Sequence, residues 1–326
     1  MNRSDGLLVQ NVTDEQIATY INGFVLYGIE GCVLAISNFL ITLVVLVYSE
    51  LRQQKEYIIV AGLAFANGLQ GFAFIVACIG RIALIRAGNG FVYTSRWQCF
   101  IKPWNLIWLV ASPWQDATLL MVSIDRFIAV AFPMKYFSYS TRYAYLLNFL
   151  AYVGALLPVS VGVVISYGFE KPEFPAICYT QSGLSDGYYR FRTMLRFCIT
   201  VISLALYVPI LILLQKTMKT GRSFSERHVA AQMIRLKKVT VTLAISAFFV
   251  LLFSTVPDII EMLNVLTNKL PLYIITNGNE IAYIFIYSLR FKDIRQGLIS
   301  LVLLRPLKKT AATIVPKQSS SRTQPP

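Results

Sequence analysis

Seven stretches of this chain are each apolar for long enough to cross a bilayer, and that fact restricts its possible folds more than any other. They run over 21–48, 57–80, 103–131, 143–167, 194–215, 239–264 and 272–289. A helix needs about 20 mostly apolar residues to cross roughly 30 Å of hydrocarbon. The first two are almost unbroken, as in GCVLAISNFLITLVVLVY and YIIVAGLAFANGLQGFAFIVACIG. Only 14% of the residues are charged, against about 25% in soluble domains, so the chain has too few charges to coat a globule of its length. In lipid every backbone polar group must be satisfied internally. The expectation is an all-α membrane protein.

Charge placement orients the bundle. The opening MNRSDGLLVQNVTDEQ is polar and has no short apolar core, so no cleavable signal peptide is expected. It holds two glycosylation sequons, at Asn2 and Asn11, which points to residues 1–20 as extracellular. With that end outside, the Lys/Arg excess falls almost wholly on the opposite side, as the positive-inside rule requires. The carboxyl end is then cytoplasmic, and the net +14 needs no nucleic acid to explain it. The tail 305–326 is Pro/Ser/Lys-rich and reads as disordered. A single histidine, His228, removes most histidine-dependent chemistry, polyhistidine metal centres first. Five scattered cysteines make no zinc ribbon. No enzyme, metal or cofactor is implied.

At the end of the third span the chain reads Ser123-Ile124-Asp125-Arg126-Phe127, then Pro133-Met134-Lys135-Tyr136. This resembles the Asp-Arg-Tyr signature of rhodopsin-like (class A) G-protein-coupled receptors and the proline that follows it. Ser37-Asn38-Phe39-Leu40 resembles the family's Gly-Asn-x-Leu, and Leu63-Ala64-Phe65-Ala66-Asn67 resembles Leu-Ala-x-Ala-Asp with an amide for the acid. Pro257 stands where the sixth helix kinks, without the Trp that many relatives carry before it. Tyr287 resembles the tyrosine of Asn-Pro-x-x-Tyr, but Tyr283 and Ile284 replace Asn and Pro. These departures resemble divergent nematode serpentine chemosensory receptors.

The resemblance implies a seven-helix receptor domain over 21–289 and an amphipathic eighth helix over 290–304, in the plasma membrane. It implies an extracellular ligand, a small molecule or peptide, and a heterotrimeric G protein engaged through Asp125, Arg126, Phe127, Pro133, Arg235, Lys237, Lys238 and Tyr287. It also implies a disulfide between Cys99 and Cys178, both on the oxidising side. Trp104, Trp108, Ser112, Met194, Asp258, Glu261 and Tyr273 become candidates for the ligand pocket in the outer half. Trp108 stands where amine receptors carry their acid, which disfavours a biogenic amine.

Ionisable groups inside a span default to function. Asp116 lies about 15 Å along its helix from Arg126, and Asn38, Asn67 and Glu280 fall at similar depth. One reading is a hydrated hydrogen-bonded cluster in which Asp116 or Glu280 replaces the acid missing from the second span and which holds a sodium ion, at Asp116, or shares a proton. The other is a set of independently satisfied polar contacts. An ion-coupled secondary transporter using Asp116 and Glu280 is the rival function, but paired repeats and interrupted helices are not evident.

Overall fold

The structure, a computed structural model, describes residues 9–220, 237, 240–242, 244–245, 248–262, 275 and 292–303. Five helices among them are long and apolar enough to cross a membrane. They are α1 (Asp14–Val47), α2 (Lys55–Arg86), α3 (Pro103–Ala131), α4 (Thr141–Ser166) and α5 (Asp186–Thr220).

Local chemistry sets their ends. Thr13 and Gln16 form a capping box: Thr13 Oγ1 accepts from the Gln16 N–H at 3.3 Å, and Gln16 Oε1 accepts from the Thr13 N–H at 3.0 Å. Asp14 and Glu15 in the first turn complement the helix dipole. α1 therefore begins at Asp14, ahead of the apolar run expected from 21. Pro103 occupies the first turn of α3, where a missing N–H costs nothing. α5 begins at Asp186 rather than 194.

α1 and α2 approach most closely where glycine meets glycine. A Cβ built on Gly31 would lie 2.8 Å from the Gly71 carbonyl oxygen, and one on Gly71 would lie 2.6 Å from the Ala35 nitrogen. Small residues let transmembrane backbones touch in this way. α4 is held to α2 by side chains reaching backbone: Asn148 Nδ2 donates to Ile58 O at 2.9 Å, and Tyr152 OH to Gly62 O at 2.7 Å. Its other face is bare, with Leu157 70% and Val164 75% exposed. Apolar side chains of this kind also stand outward on α1 and α5, as expected of a lipid-facing surface.

Leu251–Thr255 forms a π-helical turn ahead of the helix Val256–Met262. Pro257 has no N–H and crowds the residue one turn back, so the widened turn there has a local cause. The helix Lys292–Val302 buries Ile294 and Gly297. It rests against α1, and Tyr57 OH donates to Asp293 Oδ2 at 2.7 Å.

The two ends of the bundle differ. Beyond the amino end of α3, strand β1 (Tyr93–Ser95) pairs antiparallel with β2 (Pro172–Pro175), and Val9 bridges to Val92. The Cys99–Cys178 disulfide is formed there. At the opposite end, a continuous core of Ile41, Val44, Leu63, Val122, Tyr136, Tyr207, Ile210 and Ile294 closes the helices on one another.

Candidate functional site

Arg126 lies near the carboxyl end of α3 and is only 2% exposed. Its Nε donates to Asp125 Oδ2 at 2.8 Å, and its Nη2 reaches the same oxygen. Nη2 also donates to Tyr136 OH at 2.9 Å, while that hydroxyl lies 3.4 Å from Asp125 Oδ2. A buried ion pair persists only if its remaining lone pairs and protons are met, and Tyr136 supplies that third vertex. Burial pushes the Tyr136 phenol above its ordinary range, so it stays a neutral O–H able to donate and accept. One carboxylate oxygen, Asp125 Oδ1, and one guanidinium nitrogen, Arg126 Nη1, are buried without a hydrogen-bond partner among the described residues. The cluster is thus closed but incompletely satisfied.

Lys55, at the start of α2, fastens Tyr136 in place. Its ammonium donates to the carbonyl oxygens of Tyr136 and, at 3.2 Å, Tyr139. It also lies 3.8 Å from the centroid of the Tyr136 ring, within cation–π range. The short helix Pro133–Ser138 is thereby held over Arg126. Pro133 opens it, half-buried, and Phe127 is half-buried on α3. Lys237 is helical and exposed. Arg235, Lys238 and Tyr287 lie outside the described residues. Lys55 and the Tyr136 hydroxyl were not among the expected site residues; the pointer to Tyr136 is its place ten residues beyond Arg126, just past a proline that turns the chain back.

At the other end the Cys178 carbonyl is a hub. It accepts from Arg81 Nη2 at 3.1 Å, Trp104 Nε1 at 3.1 Å and Asn105 Nδ2 at 3.4 Å, while Arg81 Nε donates to Ile177 O at 3.0 Å. Cys178 itself sits at φ 42°, a left-handed conformation uncommon for a residue with a Cβ. Trp104, expected in the pocket, is buried in this clasp. Met194 is 45% exposed on α5. Trp108 is half-buried and Ser112 buried, both on α3. Asp258 and Glu261 belong to the helix Val256–Met262, but their side chains lie outside the described set, as does Tyr273.

Among the described residues no direct hydrogen bond joins Asn38, Asn67 and Asp116. Asn38 and Asn67 are wholly buried. Asn38 Nδ2 donates to Leu34 O at 3.0 Å, and both side-chain polar atoms of Asn67 are without a partner among the described residues. Asp116 lies in the field of Arg196 and Arg192 on α5. Glu280 and the sequon Asn2 fall outside the described residues. Asn11 is exposed in the segment before α1.

Comparison with known proteins gives a consistent picture. A family model described as "Serpentine type 7TM GPCR chemoreceptor Srsx" matches residues 32–296. The chain is 24% identical over 223 residues to the alpha-1A adrenergic receptors of Bos taurus and Homo sapiens, covering 65% of this chain and 44% of each relative. It is 23% identical over 223 residues to the alpha-1A adrenergic receptor of Canis lupus familiaris, covering 65% of this chain and 69% of that protein. The chain therefore spans under half the length of the bovine and human relatives.

Proposed function

The chain belongs to the Srsx family of serpentine seven-transmembrane GPCR chemoreceptors, and on that basis we propose how it works. It binds an extracellular ligand in the half of the bundle nearer the Cys99–Cys178 disulfide and activates a heterotrimeric G protein at the Arg126 end. The arrangement is a plasma-membrane bundle of seven spans with the N-terminus outside. The helix Lys292–Val302 then lies along the cytoplasmic surface as an eighth helix.

One observation carries the reading: the buried triad of Asp125, Arg126 and Tyr136, locked by Lys55. An Arg held by a neighbouring carboxylate at the end of a membrane helix is a latent contact surface. While the triad is closed, Arg126 is spent inside the bundle. When the helices part, its guanidinium is released to a protein partner. A ligand drives that step only by binding the open state more tightly than the closed one. The continuous core at this end fits the closed, resting state. Lys237, exposed on its helix, with Arg235 and Lys238 nearby in sequence, supplies positive charge for the same docking surface.

Expression of the full chain in cells with a G-protein activation readout tests this. Asp125→Asn, which removes the charge that holds Arg126, raises ligand-free signalling, and adding Arg126→Ala to it abolishes the signal at equal surface expression. Equal signalling with and without Arg126 overturns the coupling role.

A further inference from the structure

Three side chains on α3, Trp108, Ser112 and Asp116, follow one another at intervals of four residues. They therefore share one face of that helix. Arg192 and Arg196 stand at the same interval on α5, and α3 and α5 pack together. The Arg192 guanidinium lies 3.9 Å from the centroid of a Trp108 ring, and Asp116 is in electrostatic range of Arg196 and Arg192.

Arg192 is 7% exposed, and its Nη1 is buried without a hydrogen-bond partner among the described residues. An unpaired buried guanidinium nitrogen is costly, more so than a neutral donor. Asp116 does not relieve it, since no hydrogen bond or ion pair joins the two among the described residues. The indole covers the face of the guanidinium, so an acceptor for Nη1 must approach along the N–H edge. That edge is a planar fork matched to the two oxygens of a carboxylate. Arg192 Nη1 is a charged donor, so the group that satisfies it best is an anionic acceptor. A cationic ligand offers that nitrogen no acceptor, whereas a carboxylate does.

We propose that this site takes the carboxylate head of a small organic acid, with Arg192 as its counter-ion and Trp108 as the apolar wall beside it. The proposal rests on the receptor reading above and adds to it the chemical class of the ligand.

The test uses the purified full-length chain in lipid nanodiscs. Thermal unfolding is followed with benzoate, phenylacetate, octanoate or bilayer-borne oleate, each paired with its methyl ester, and with benzylamine and octylamine. At least one acid raises the unfolding temperature, and its ester and the amines do not. Protection by benzoate or phenylacetate identifies an aqueous acid, while protection by oleate alone identifies one arriving through the membrane. Arg192→Gln weakens the half-saturating acid concentration by about ten- to a hundred-fold, the loss expected for one charge-assisted bond. The proposal is overturned if no acid protects, if acid and ester protect alike, or if the amines protect as well as the acids. Should Arg192→Gln fail to fold, the acid–ester comparison in the unaltered protein still decides. Ligand-free G-protein activation by the Asp125→Asn chain is measured alongside. Its presence without acid protection removes the carboxylate site alone, and its absence with acid protection removes the receptor reading alone.

Discussion

Replacing Tyr136 by Phe deletes one hydroxyl and leaves the surrounding contacts as they are. The carbonyl that receives the Lys55 ammonium is main chain and stays, as does the ring beneath that ammonium. What goes is the bond from Arg126 Nη2 at 2.9 Å and the 3.4 Å contact with Asp125 Oδ2. Hydrogen bonds to charged groups are worth about 1.5–3 kcal/mol. If the triad exists only in the resting state, losing the bond raises the resting-to-active equilibrium constant by roughly ten- to a hundred-fold. A receptor about 1% active at rest would then be roughly 10% active or more without ligand. The assay is ligand-free G-protein activation in cells, normalised to surface-labelled protein. Tyr139→Phe is the control, because Tyr139 contributes its ring and carbonyl to Lys55 but no hydroxyl bond among the described residues. The reasoning fails if Tyr136→Phe reaches the surface normally and its basal signal equals that of the Tyr139→Phe chain.

Three further outcomes follow from the packing. Gly71→Ala places a methyl group 2.6 Å from the Ala35 nitrogen and should destabilise the protein by about 1–3 kcal/mol, seen as a lower unfolding temperature; an unchanged value refutes the close approach. Cys99→Ala removes a bridge between residues 79 apart in sequence. It should cost about 2–5 kcal/mol and abolish the difference in gel mobility between reduced and unreduced protein. Tyr57→Phe frees Asp293, so amide exchange across Lys292–Val302 should speed up while that of α3 is unchanged; equal protection in both chains would refute the tether.

How much of this was legible beforehand differs from helix to helix. α3 runs over Pro103–Ala131, as expected, because a proline marks each boundary: Pro103 starts the helix and Pro133 begins the next. α5 starts ahead of its apolar run because Asp186, Arg190 and Arg192 dilute the hydropathy of its first turns. What makes Arg192 tolerable there is the Trp108 ring from another helix, a compensation invisible in the local sequence. The partners of Asp116 on α5 are equally invisible in its local sequence. Rise per residue placed it at the depth of Asn38 and Asn67, but depth says nothing about rotation around the helix axis. Its position on the Trp108–Ser112–Asp116 stripe turns it toward α5, and the four-residue spacing of Arg192 and Arg196 was the signal to notice. The Asp125–Arg126 pair was legible because its partners are adjacent. Lys55 was not, because it reaches Tyr136 across 81 residues of chain.

The most direct test of the receptor account is nucleotide exchange on a purified heterotrimeric G protein mixed with this chain in nanodiscs. With Asp125→Asn in place the chain should accelerate exchange without added ligand, and Arg126→Ala on that background should return the rate to that of the G protein alone. Acceleration that persists undiminished without Arg126, or none in any form of the chain, contradicts the account.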